Sequence, residues 1–284
     1  MHNSEMRRFV VYICIYAMLI IAIILPVELY RMHLGCYNAD VPGYEVRYAE
    51  KLSKRKINKK IKKLILGDST GHALYPCEKE YDDVVSLACN RSITLAGHYF
   101  LLKNFLDANP DNLPQEIVIL YAPFSFSCDL DQFAYQYFLK PFPRKEYQHL
   151  YTDHLSQRVK SIPLYWTSNL PFIQTSGYTP RIAVPTAEKE MSMSVLNHEY
   201  LQKIDSLAKE FDIPLSLCAT PVREDRKNEV DMFIADVCQS SNIVVELGYM
   251  QDYVKTIKFY PSTLFSDAVH LSKENVPSNY LESY

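Results

Sequence analysis

Three patterns of hydrophobic and polar positions follow one another along the chain. From Phe9 to Val27 there are 19 residues without a charge, FVVYICIYAMLIIAIILPV, close to the ~20 that cross a bilayer as a helix. A single transmembrane helix is therefore expected. Arg7 and Arg8 precede it, as they would in a cleaved signal peptide. The run is long, however, and Pro26-Val27-Glu28-Leu29 follows without a small-x-small cleavage pattern, so the reading is an uncleaved anchor. The second pattern is the basic tract KLSKRKINKKIKK at 51–63, in which Leu52, Ile57 and Ile61 recur among eight basic residues. It reads either as a surface for lipid phosphates or an acidic polymer, or as a solvated linker whose apolar residues touch the domain.

The third pattern is a series of short apolar runs ended by turn residues, separated by stretches with helical spacing. It predicts strands near 63–67, 83–88, 116–122, 213–219 and 243–247, and helices over 92–107, 197–211 and 227–241. Asn197 is read as the opening of the second helix, which stops before Ile213-Pro214. Strand and helix alternate, so the expected class is α/β with a doubly wound parallel sheet. The organisation that follows is an anchor over 1–30, a basic linker over 31–62 and one domain over 63–284. An insertion over 128–196 interrupts that domain. Between 128 and 180 it holds 11 Phe, Tyr and Trp residues in 53, against 13% for the chain, with Trp166 among them. It reads as a lid or platform for sugar rings or an acyl chain, or as a satellite core.

Charge narrows the partners. Residues 1–63 carry 12 basic and 5 acidic side chains of the chain's 30 and 33, leaving 18 and 28 in the rest, a net of −10. A domain of that sign is not expected to bind nucleic acid. Seven cysteines include no Cys-x-x-Cys pair, and the eight histidines show no metal-ligand spacing, so neither metal nor cofactor is expected. His72 and His98 lie close to the loops expected to form the site.

The chemistry gathers at two places. Leu64-Ile65-Leu66 runs into Gly67-Asp68-Ser69, which sets Ser69 at the carboxyl end of the first strand, the edge where open α/β sheets bind ligands. Near the other end stand Asp267 and His270, three residues apart, so a carboxylate can face Nδ1 while Nε2 faces a serine. Residues 67–71 also spell Gly-x-Ser-x-Gly, but an α/β-hydrolase elbow follows several strands and this serine follows only the first.

These residues resemble the SGNH, or GDSL-like, hydrolase superfamily over roughly 63–284. Gly67-Asp68-Ser69 matches its first block, and TLFSDAVHLSKEN at 263–275 matches its last. The resemblance implies a flavodoxin-like three-layer sandwich with Ser69 as nucleophile and first oxyanion donor, His270 as general base and Asp267 as its orienting partner. The second block's glycine is missing from VVSLACNRSIT, where Asn90 and the Ser92 amide are the substitutes, and the third block's asparagine is missing from IVILYAPFSF, where Ser125 is the nearest polar side chain. The chain is also similar to anchored SGNH-like proteins of bacterial polysaccharide O-acetylation. That implies an exported, membrane-anchored esterase or O-acyltransferase for a surface glycan, with a multi-pass acyltransferase as a partner. Two alternatives stand beside it: a catalytically silent glycan-binding or assembly subunit, and an enzyme facing the cytoplasm.

Overall fold

A computed structural model describes residues 3–35, 44–90, 93–130, 145–161, 192–239, 248–277 and 280–283. The expected strand at 243–247, Ser92 and Trp166 lie outside the described residues. The apolar amino-terminal run forms α1 (Asn3–Gly35), in which the 23 residues Ser4–Pro26 are long and apolar enough to cross a membrane.

Four strands form one parallel sheet: β1 (Lys63–Gly67), β2 (Val84–Ser86), β3 (Glu116–Tyr121) and β4 (Leu215–Ala219), in the order β2-β1-β3-β4. The register sets Gly67 opposite Leu120 and Ile65 opposite Ser86. Parallel strands need crossovers, and here α3 (Ser69–Leu74) follows β1, α4 (Thr94–Ala108) follows β2, and α7 (Val195–Glu210) precedes β4. Side chains alternate across each strand. Leu64, Leu66, Ile117, Ile119 and Leu217 enter one apolar cluster, while Ile65, Val118, Leu120 and Cys218 enter another. Both faces of the sheet are therefore covered, which is why its strands read as continuous apolar runs. The protein is thus a layered α/β fold.

The larger cluster takes in α4, α7, α8 (Lys227–Gln239) and α9 (Tyr249–Thr256). It also takes in Val46 and Ala49 of α2 (Tyr44–Ser53), together with Ile61, all almost fully buried. The core therefore includes residues ahead of the expected boundary at 63. Leu52 and Ile57 pack against the same cluster, and Asn112 donates to the carbonyls of Ile57 (2.8 Å) and Lys59 (2.9 Å). The basic tract is held to the domain by these apolar contacts and hydrogen bonds.

Two short helices of the insertion, α5 (Lys145–Gln148) and α6 (Asp153–Ser161), also join the larger cluster. Tyr147 and Tyr151 stack on Phe100 with centroids 5.5 and 5.8 Å away. Residues 145–161 of the insertion thus pack into the main core and do not form a separate satellite one.

The helix expected at 197 starts two residues earlier, with Ser194 as its cap accepting from the Asn197 N–H at 3.1 Å. Asn197 is instead fully buried. Its amide donates to the Phe126 and Cys128 carbonyls, both at 2.9 Å, and its Oδ1 accepts from the Leu95 N–H at 2.8 Å. A cap residue would satisfy its own helix, whereas this one ties three segments together.

Gly71 shows why α3 sits so close to the sheet. A Cβ there would lie 2.5 Å from the Leu120 carbonyl oxygen, a backbone atom that cannot move aside. Gly71→Ala is expected to cost about 3 kcal/mol, the upper end for overpacking, seen as a lower melting temperature. A melt within 2 °C or so of wild type, under 1 kcal/mol for a domain this size, would show that the helix can lift off the strand.

Candidate active site

Ser69 is the first residue of α3, directly beyond the carboxyl end of β1, and is half-buried. Asp68 before it caps the helix: its Oδ1 accepts from the N–H groups of Thr70 and Gly71, each at 2.9 Å, and from the Thr70 hydroxyl. An α-helix leaves its first N–H groups without internal acceptors. Asp68 takes the second and third of these, so the Ser69 N–H is the first-turn donor that the cap does not use. Ser69 is absent from the positive-φ residues, so its turn lacks the strained backbone of a nucleophile elbow.

Asp68 is also the centre of a buried polar network. It is 1% exposed, and its second oxygen accepts from the Ala122 N–H at 2.9 Å and from the Ser125 hydroxyl. The Thr70 hydroxyl, committed to Asp68, accepts in turn from Thr220 at 2.8 Å. One carboxylate thereby joins the ends of β1, β3 and β4. Ser125 departs from its expected role as an oxyanion or substrate contact, since it is 1% exposed and its hydroxyl is spent on Asp68. Asn90 follows Cys89, whose N–H donates to the Gly67 carbonyl at 2.9 Å. It therefore flanks Asp68 and Ser69 across the strand ends, and it is half-buried. At the start of α4, Thr94 holds a φ of 55°, strained backbone for a β-branched residue, beside the same edge.

Asp267 and His270 form a pair. Asp267 Oδ2 lies 2.8 Å from His270 Nδ1, and Oδ1 accepts from the N–H groups of Val269 (2.7 Å) and His270 (2.8 Å). The turn is closed by the antiparallel bridge between Phe265 and Leu271 and braced by Arg223 of β5 (Val222–Arg223), which donates to the Asp267 carbonyl at 3.0 Å. Strand β5 pairs in parallel with β6 (Phe259–Tyr260). Partial burial pushes the Asp267 carboxyl upward, but the two N–H groups and the imidazole outweigh it and bring the value down to about 2. Asp267 is therefore a carboxylate throughout the neutral range. With Nδ1 engaged, His270 Nε2 has no hydrogen-bond partner among the described residues, and the side chain is 30% exposed.

Phe265 and Leu271 belong to the same smaller apolar cluster as Leu74 and Tyr75 at the end of α3. Among the described residues no hydrogen bond joins Ser69 to His270. Catalytic contacts of this type commonly tighten only with substrate bound.

Behind the site, His98 of α4 meets Tyr121 of β3 edge-on at 5.5 Å. Both are fully buried, and neither ring nitrogen of His98 nor the Tyr121 hydroxyl has a partner among the described residues. Burial holds the imidazole neutral, with its pKa lowered to about 3 from 6.5. Below pH 6.5 the unfolded chain binds a proton that the native chain refuses, so stability falls as pH drops toward 3 and levels off below it. By pH 5 this amounts to about 2 kcal/mol. His98→Leu is expected to remove that slope and to be neutral or stabilising at pH 7. Melting of the two proteins between pH 7 and 5 tests it, and parallel slopes would contradict it.

No family model, curated protein or solved structure matches the chain.

Proposed function

We propose that the chain is a membrane-anchored, SGNH-like serine esterase or O-acyltransferase acting on acyl esters of a cell-surface glycan. The observation that carries the reading is the Asp267–His270 pair, with Nδ1 held at 2.8 Å and Nε2 without a partner among the described residues, on a segment that shares an apolar cluster with the end of the helix beginning at Ser69. In this reading Asp267 fixes the imidazole tautomer. Nε2 takes the Ser69 proton as Oγ attacks the ester carbonyl, and the Ser69 N–H faces the oxyanion. The leaving alcohol receives the proton from His270. Water or a sugar hydroxyl, deprotonated in turn by His270, then takes the acyl group from Ser69, and His270 returns the proton to the departing Ser69 Oγ. The carboxyl-terminal domain lies outside the cytoplasm, and a multi-pass acyltransferase supplies acyl groups across the membrane.

A catalytically silent glycan-binding subunit is the second reading. The commitment of Ser125 to Asp68 favours it, because the nearest polar side chain after the third strand is then not available to the oxyanion. The two separate when the purified full chain, in detergent, is given p-nitrophenyl acetate and an unacetylated oligosaccharide. The proposal expects p-nitrophenol release together with acetate or acetylated sugar. Saccharide binding without turnover would establish the second reading.

A further inference from the structure

Beside the site, α3 ends at Leu74, with Tyr75 as its C-cap donating back to the Gly71 carbonyl at 2.8 Å. Pro76 then turns the chain so that Cys77 and Glu78 come back alongside His72 in the last turn of the helix. The return is fixed by the Lys79 N–H on the Pro76 carbonyl at 3.1 Å and by the Ser86 hydroxyl on the Tyr75 carbonyl at 2.6 Å. The imidazole, the thiol and the carboxylate each offer a ligand atom within 4.8 Å of the other two. His72 Nε2 already touches Glu78 Oε2 at 2.8 Å, and Cys77 Sγ lies 3.7 Å from the Glu45 carbonyl.

We propose that His72, Cys77 and Glu78 form a zinc site that clasps the helix carrying Ser69 to the 76–79 turn. The donor set decides the ion: thiolate and imidazole select zinc over magnesium or calcium. Zinc takes sulfur at about 2.3 Å and nitrogen or oxygen at about 2.0–2.2 Å, so tetrahedral ligands stand roughly 3.3–3.8 Å apart. A 2.8 Å His–Glu contact opens to that spacing by a side-chain movement of about 1 Å, and both side chains are 26% exposed and free to make it. Cys77 is 3% exposed and forms the inner wall, so the fourth coordination position faces solvent through His72 and Glu78. Binding displaces the thiol proton to water and replaces the His72–Glu78 hydrogen bond with two bonds to the ion. In sequence the three ligands fall across a helix end and a proline turn, a spacing unlike that of zinc fingers. The site stands whether or not Ser69 is a nucleophile, because none of its ligands belongs to the proposed triad.

The test is titration of the purified, chelator-stripped full chain with cobalt(II), then zinc(II). One equivalent is expected to give a thiolate-to-cobalt charge-transfer band that zinc abolishes. Cys77→Ser loses the band. Removal of a direct ligand costs at least what an outer-shell partner does, so His72→Gln and Glu78→Gln weaken zinc affinity by about 10- to 100-fold. These two partly exposed positions keep the test decisive if Cys77→Ser fails to fold, provided their metal-free melting matches that of the metal-free wild type. No band in the wild type, or zinc affinity unchanged in His72→Gln and Glu78→Gln, would overturn the proposal.

Discussion

Asp68→Ala is expected to destabilise the protein by about 4 kcal/mol, a large fraction of the roughly 5–15 kcal/mol that keeps a domain folded. The carboxylate accepts from the Thr70 and Gly71 N–H groups, the Thr70 hydroxyl, the Ala122 N–H and the Ser125 hydroxyl, and it is 1% exposed. Alanine leaves these donors facing a small void. A buried donor without an acceptor costs about 1–3 kcal/mol; the two hydroxyls can rotate toward other acceptors, but the three N–H groups cannot. For a domain of this size 1 kcal/mol moves melting by roughly 2–4 °C, so a drop of about 10 °C or an insoluble product is expected. Asp68→Asn separates charge from shape. One amide oxygen still serves the helix N-terminus, while the amide nitrogen meets the Ala122 N–H donor to donor, so an intermediate loss is expected. Ser125→Ala removes one donor and should cost about 1 kcal/mol. Equal melting of Asp68→Ala and wild type would remove the network from the account.

That network explains the uneven legibility of the sequence. The strands were readable because both faces of the sheet are buried, which makes Leu64–Leu66 and Ile117–Leu120 continuous apolar runs. The spacing of Asp267 and His270 was readable because three residues within one tight turn bring a carboxylate to Nδ1. Asp68 was hidden inside the motif it supports: its partners Ala122, Ser125 and, through Thr70, Thr220 are more than 50 residues away. Ser125 was misread for the same reason, since a polar residue after a strand looks available until its acceptor is known. The membership of α2 in the core was obscured by the lysines around it, although Val46 and Ala49 are fully buried. Asn197 carried the signal of a cap, but its side chain spans three segments.

The second large effect falls on Ser69. Serine's hydroxyl is a weak nucleophile until a base takes its proton. In the proposed mechanism Ser69→Ala removes the acyl-enzyme route altogether, and ester turnover should fall by roughly 10⁴-fold or more. His270→Ala should fall nearly as far, because nucleophile and base act as one unit and their losses do not add. Folding should be unchanged in both, since Ser69 is half-buried and His270 lies on an exposed turn. The proposed mechanism thus divides adjacent residues of one tripeptide between a structural role for Asp68 and a chemical one for Ser69.

The most direct measurement is covalent labelling of the purified full chain with a fluorophosphonate probe, followed by mapping of the modified residue, in wild type, Ser69→Ala and His270→Ala. If Ser69 is the activated nucleophile, the wild type carries a single phosphonylated residue, Ser69, with none in Ser69→Ala and strongly slowed labelling in His270→Ala. A folded wild-type protein that takes no label, or one labelled equally well without Ser69, would contradict it.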